Sequence, residues 1–344
     1  MKHRKLVNFN ITVILWAVAL SMPAQEYSGN SEYSKSSEET TLTLVEYNCE
    51  NFFDCRHDSL KNDYEWTPSG ARKWDERRYW NKQRNIARAL LACGETDEGW
   101  EMPDLIALCE VENDSVLRDL TRRSLLRRAS YEYVMTDSPD QRGIDVALLY
   151  SPFSFRLLDY HSLHVDTLPG MRSTRDVLYV SGLVGQGDTL HIFVVHAPSK
   201  VGGDRRTRAY RRRVAERIIT TSDSIRAVSG NARIVVMGDF NEGCDGDGVT
   251  SLTDNGFTNV SGNAKGSNGA KGSYYYDGKW EMIDHVLLSD NMRESVIGCH
   301  ISDKVFMLDT ETTYGRVSPR RNYKGYHYQN GFSDHLPLVV KLRL

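Results

Sequence analysis

Along the chain, short apolar runs of strand length alternate with longer segments of helical periodicity. TLTLVEYN (41–48), DLIALCEVE (104–112), DVALLYS (145–151), TLHIFVVHA (189–197), ARIVVMGDFN (232–241), WEMIDHVLLS (280–289) and PLVVKLRL (337–344) predict strands. Several are nearly continuous apolar runs, the pattern of strands buried on both faces. RRYWNKQRNIARALLACG (77–94) predicts a helix with Tyr79, Ile86 and Leu90 on one face and Gly94 as its stop. SVLRDLTRRSLLRR (115–128) and TRAYRRRVAERIITTSDSI (207–225) predict two more. No stretch reads as a linker between two cores, so one α/β domain over 41–344 is the simplest organisation. SGNAKGSNGAKGS (261–273) has no large apolar residue and predicts a mobile surface loop.

The N-terminus has a different pattern. MKHRK is followed by ITVILWAVAL, ten apolar-rich residues that fall short of the roughly 20 needed to span a bilayer. Residues 1–24 read as a secretory signal peptide and 25–40 as a polar, Ser-rich linker, so the mature chain is expected to be exported, periplasmic or secreted, without a transmembrane anchor. An oxidising compartment would permit disulfides among the six cysteines, all of which lie beyond the leader. Their spacing has no CxxC, which argues against zinc, and Cys109 within LIALC reads as a core residue.

Composition adds limits rather than identity. With 344 residues, 40% of them hydrophobic and 26% charged, the chain is neither collagen-like, coiled coil nor disordered. The net charge is −3, and loss of Lys2, Arg4 and Lys5 with the leader takes it to −6. The chain as a whole is not drawn to polyanions, so any attraction to phosphate must come from local basic patches.

Those patches matter because polar residues gather at the ends of the apolar strands. Asn48 follows TLTLVEY, Glu110 and Glu112 follow LIALC, His196 follows HIFVV, Asp239 and Asn241 follow RIVVMG, and Asp334 and His335 precede the last strand. Strand alternation places Glu110 and Glu112 on one side. A charge directly after several buried apolar residues is costly unless it is paired or holds a metal. One such residue reads as a turn or cap; this many together read as a site. Oxygen donors with a neutral amide suit Mg2+ or Mn2+, and with a histidine-carboxylate pair they suit metal-assisted phosphoryl hydrolysis.

Taken in order, YNCENFFD (47–54), ALCEVEN (107–113), RGIDVALLY (142–150), HAPSK (196–200), GDFN (238–241), IDHVLLS (283–289) and SDHLP (333–337) resemble the endonuclease/exonuclease/phosphatase superfamily. That resemblance implies an α/β four-layer sandwich, two mixed β-sheets packed face to face and flanked by helices. It also implies roles: Glu110 as main metal ligand with Asn48 beside it, and Asp334 as a second metal contact. Asp239 would orient or activate the attacking water and Asn241 hold a phosphate oxygen. His335 would contact the scissile phosphate, Asp284 would fix its ring, and His196 would be a second phosphate-side histidine. Whether Arg142 and Asp145 touch substrate stays open.

Two arginine clusters remain. Arg118, Arg122, Arg123, Arg127 and Arg128 read as a solvated helix face. The second starts just after HAPSK, so Lys200, Arg205 and Arg206 are candidates to hold a phosphate flanking the scissile bond. The leading expectation is an exported metal-dependent phosphodiesterase, an endonuclease with nucleic acid as substrate and no stable protein partner. Tyr274–Tyr276 and Trp280 fit either a base-stacking platform or a strand with aromatic core residues. A phosphatase or phospholipid-headgroup diesterase is the alternative within the enzymes. An inactive nucleic-acid- or surface-binding relative is the alternative of another class, although Glu110, Asp239 and His335 are all present.

Overall fold

The computed structural model describes residues 40–96, 99–185, 187–311 and 315–344. The expected leader, and the expected linker except its last residue, lie outside them. Twelve strands form two six-stranded sheets. The first sheet contains β1 (Thr41–Phe52), β2 (Leu105–Val111), β3 (Glu132–Met135) and β4 (Asp145–Tyr150). The second contains β5 (Phe155–Leu163), β6 (Val177–Val184), β7 (Asp188–His196), β8 (Arg233–Asp239), β9 (Phe257–Asn259) and β10 (Asp284–Ser289). β11 (Val296–Ile301) and β12 (Leu338–Arg343) return to the first sheet, whose order is β11-β12-β1-β2-β4-β3; the second runs β9-β10-β8-β7-β6-β5.

Each sheet is antiparallel except for one central parallel pair, β1 with β2 and β7 with β8. A parallel pair requires a crossover, and a helix supplies it in both cases. α1 (Glu76–Ala92) links β1 to β2 and α3 (Asp204–Val228) links β7 to β8. α2 (Asp114–Arg122) follows β2, and α4 (Asp247–Thr253) is a short helix packed on α3. The Asp75 side chain caps α1 by accepting from the Arg78 N–H at 2.9 Å.

Strand alternation builds the layers. On β7 and β8, Leu190, Ile192, Val194, Val235 and Met237 join the core between the sheets. Their neighbours Phe193, Val195, Ile234 and Val236 join a second core with Val214 and Ile218 of α3. Burying each such side chain contributes about 1.5–3 kcal/mol. All seven strands expected from apolar runs are present, as are the three helices, the second of them shortened at Arg122 and continued by a 3-10 turn over Leu125–Arg128.

One expectation fails. The 261–273 segment is pinned: the buried Asp303 carboxylate accepts from the N–H groups of Ser267, Asn268 and Ala270 at 2.9, 2.7 and 3.1 Å. The six cysteines are all free, with Cys49, Cys93 and Cys109 buried in the core.

Candidate active site

The carboxyl ends of β1, β2, β7 and β8 converge from the two sheets, and the antiparallel β10 and β12 begin at the same edge. Strand ends are where a buried sheet can present polar groups to a cleft. Asn48 Nδ2 of β1 donates to Asp239 Oδ2 of β8 at 3.0 Å, joining the sheets directly. Gly238, just before Asp239, lets β8 lie close against β7: its φ is +147°, and a Cβ there would sit 1.9 Å from the Val195 carbonyl oxygen. Asn241, at φ +54°, folds back so that its N–H donates to Asp239 Oδ1 at 2.7 Å and its Nδ2 to the Ala197 carbonyl at 3.1 Å.

Glu110 leaves the β2 ladder at a bulge with φ +62°. Its Oε2 accepts from the Asn51 N–H at 2.7 Å, and its Oε1 lies 3.8 Å from His196 Nε2. The bulge breaks the alternation expected for Glu110 and Glu112. Glu112 instead accepts from the Asp54 N–H at 2.6 Å, and burial followed by repulsion from Asp54 pushes its carboxyl up to about 9.

His335 enters from the segment before β12. The Ser333 hydroxyl donates to the Asn48 carbonyl at 2.6 Å and accepts from the His335 N–H at 3.1 Å, tying this segment to β1. The His335 Nδ1–H donates to Asp284 Oδ2 at 2.7 Å, and its Nε2 lies 4.0 Å from Asp239 Oδ2. Burial disfavours charge on the ring, but Asp284, then Asp239 and Asp334, hold its pKa well above the ordinary histidine range.

His196 has the opposite character. Burial first, then Arg175, Arg142 and His335, push its pKa well below the ordinary range. It is a neutral ring, 3.6 Å from Asp239 Oδ2, and its buried Nδ1 finds no partner among the described residues. One imidazolium and one imidazole therefore flank Asp239.

Asp239 pairs in register with Asp284 across β8 and β10. Burial and then Asp284 push its carboxyl up to about 7. Burial first, then Asp284 and Asp239, push the carboxyl of the fully buried Glu46 well above the ordinary carboxylate range. Burial and mutual repulsion disfavour charge on these carboxylates, a cost that a divalent ion held among them would relieve. Asp239, Asp284 and His335 present ligand atoms within 4.8 Å of one another. Since His335 and Asp284 already satisfy each other, the donors best suited to a hard cation are the oxygens of Glu110, Asn48 and Asp239.

A family model, the Endonuclease/Exonuclease/phosphatase family, matches residues 43–344. The chain belongs to this family. Solved structures share the family fold at low identity. An endonuclease/exonuclease/phosphatase from Bacteroides vulgatus matches with a TM-score of 0.57 and 17% identity, over 89% of this chain and 100% of that one. Truncated Caenorhabditis elegans TDP2 gives 0.56 and 14%, over 88% and 98%. A Bacteroides thetaiotaomicron family protein gives 0.56 and 15%, over 89% and 96%. No curated protein sequence matches. Members of the endonuclease/exonuclease/phosphatase family are divalent-metal-dependent phosphoesterases.

The remaining expected site residues are more dispersed. Asp334 is held by Arg321 at 2.8 Å, and Arg321 also lies 3.7 Å from Glu50. Lys200 pairs with Glu281 at 3.0 Å, Arg205 is exposed, and Arg206 donates to the Gly170 carbonyl at 3.3 Å. Asp145 is structural, accepting from the Ser138 N–H at 3.0 Å and from the Thr136 hydroxyl at 2.5 Å. Arg142, by contrast, reaches the site, donating to Asn51 Oδ1 and lying 3.6 Å from Glu110.

Arg321 and Lys82 are neighbours of the site that the sequence reading does not name. Arg321 gives no local signal. Lys82 lies on the buried face of α1 and donates to the Phe332 carbonyl at 2.5 Å, a charge on an apolar helix face that periodicity reveals. Tyr274 bridges to His335 through the backbone, and the two rings lie 4.7 Å apart.

Proposed function

We propose that this family member is an exported, Mg2+- or Mn2+-dependent phosphodiesterase that hydrolyses nucleic acid as an endonuclease. The observation that carries the reading is the buried His335–Asp284 pair facing Asp239 at 4.0 Å. In-line attack on a phosphodiester develops negative charge on the phosphoryl oxygens. A charged His335, oriented by Asp284, donates to one of them; Asp239 accepts a proton from, or aligns, the attacking water; Asn241 holds Asp239 in place. A divalent ion held by Glu110 and Asn48 would supply further neutralisation of that charge.

Nucleic acid is favoured by the hairpin Tyr274–Tyr276/Lys279–Glu281. Tyr274 lies beside His335 with its ring tilted by 35° and, on the other side, stacks at 6.3 Å and 7° against Tyr276, which is 60% exposed. This aromatic run leads outward from the scissile position as a platform for bases. The hairpin tip is Asp277-Gly278-Lys279, too polar for insertion into lipid. Export rests on the basic start and apolar run of the N-terminus.

The test is nicking of supercoiled plasmid by the mature chain with Mg2+ or Mn2+, against EDTA and His335→Ala. Metal-dependent nicking reduced at least about 10²-fold in the variant is expected. A folded chain that leaves plasmid and RNA intact while hydrolysing headgroup diesters would replace the nuclease reading by the lipid one.

A further inference from the structure

Beside the active site lies a separate cavity of about 440 Å³ whose lining includes Arg142, Arg172, Arg175 and Arg206, with Thr174 and Tyr210. Asp140 is the one carboxylate among its lining residues, and it is paired with Arg175 at 3.3 Å. Four guanidinium groups against one carboxylate leave a net positive chamber.

Two of the arginines are explained by their surroundings. Arg175 is buried and donates to the His196 and Ala197 carbonyls at 3.2 and 2.8 Å, so the cavity shares a wall with the active site. Arg142 stands on the boundary, beside Glu110. Arg172 and Arg206 are exposed, and Arg206 donates to the Gly170 carbonyl on the cavity wall at 3.3 Å.

A second observation points to a ligand. Thr174 lines the cavity and is 5% exposed, yet its hydroxyl has no hydrogen-bond partner among the described residues. A buried hydroxyl left unpaired beside arginines is a donor without its acceptor. The same wall is completed by the start of α3, 25 residues long, whose Gly203 cap contributes no side-chain hydrogen bond.

We infer that this cavity binds a second phosphate of the substrate, one group removed from the scissile diester. The inference rests on the phosphodiesterase reading and deepens it: diesters that carry a neighbouring phosphate are the preferred substrates. Guanidinium forks and a hydroxyl donor recognise a phosphate whether a nucleotide or a phosphorylated inositol presents it.

The experiment compares the mature chain with the Arg172→Ala/Arg206→Ala variant, after circular dichroism and melting show both equally folded. Turnover is measured on two pairs, pTpT against TpT and glycerophosphoinositol 4-phosphate against glycerophosphoinositol. A preference in kcat/KM on the order of tenfold for the phosphorylated member of one pair, collapsing towards unity in the variant, is the expected result. The pair that shows it names the source of the phosphate. Equal kcat/KM within both pairs in the parent chain overturns the inference. If neither pair is cleaved, titration with inorganic pyrophosphate in EDTA decides. Binding weakened about tenfold in the variant keeps the anion site and sinks only the reading as a phosphodiesterase, whereas equal binding in the two proteins removes the site itself.

Discussion

Asp284 is fully buried opposite Asp239, and a second carboxylate there is costly unless it serves a charge nearby. His335 is that charge. Burial alone would lower the His335 pKa, and the carboxylates, with Asp284 foremost among them, reverse the shift. In Asp284→Asn the amide can still accept from Nδ1–H but no longer supplies a negative charge. The histidinium then loses its proton at lower pH. Turnover should fall roughly 10²-fold and the alkaline limb of the kcat profile should move towards acid. An alkaline limb at its original pH would remove Asp284 from this role. His196, held neutral by burial and neighbouring arginines, does not produce that limb.

At the scale of elements, the hairpin Tyr274–Tyr276/Lys279–Glu281 shows how local patterning is put to use. Its alternation sends Tyr275 against Trp280 at 5.1 Å, while Tyr274 and Tyr276 stack on each other beside His335. The strand is therefore neither wholly core nor wholly platform; its two faces divide the roles. Tyr276→Ala should leave stability and kcat near the parent values but raise KM for single-stranded DNA by roughly five- to a hundredfold, the value of one stacked base. A KM that does not move would assign the stack to the fold. The 261–273 segment makes a complementary point. Its small polar residues specify turns, but its rigidity comes from the Asp303 carboxylate in a segment beyond β11.

For the whole molecule, the active site is the seam between two sheets. Each sheet contributes one β-α-β unit, and the ends of both parallel pairs supply the donors. An ion bound at Glu110, Asn48 and Asp239 would link β1 and β2 to β8, so binding and folding are coupled. Mg2+ or Mn2+ at a hundred times its dissociation constant should stabilise the chain by about 2.7 kcal/mol, seen as a rise in Tm that EDTA reverses. In Glu110→Gln, where the amide can still accept from the Asn51 N–H, the rise should disappear. An equal rise in parent and variant would place the ion elsewhere.

The sequence by itself determined seven of the twelve sheet strands, with the largely buried β6 not among them, the crossover helices and the order of the polar residues at their ends. Continuous apolar runs can be satisfied only between two layers, and the charges that follow them need partners. It did not reveal β5, where seven of nine residues escape full burial, nor β9, which is only three residues long. Apolar periodicity is weak at an exposed edge and has no length to develop in a short strand. Only the tertiary structure decided which way Glu110 faces, because a bulge overrides alternation. It also decided that His335 is charged while His196 is neutral, and that Arg142 and Arg321 reach the cleft. Those outcomes depend on groups far apart in the chain whose fields act over a few ångströms, a proximity that exists only once the two sheets have packed.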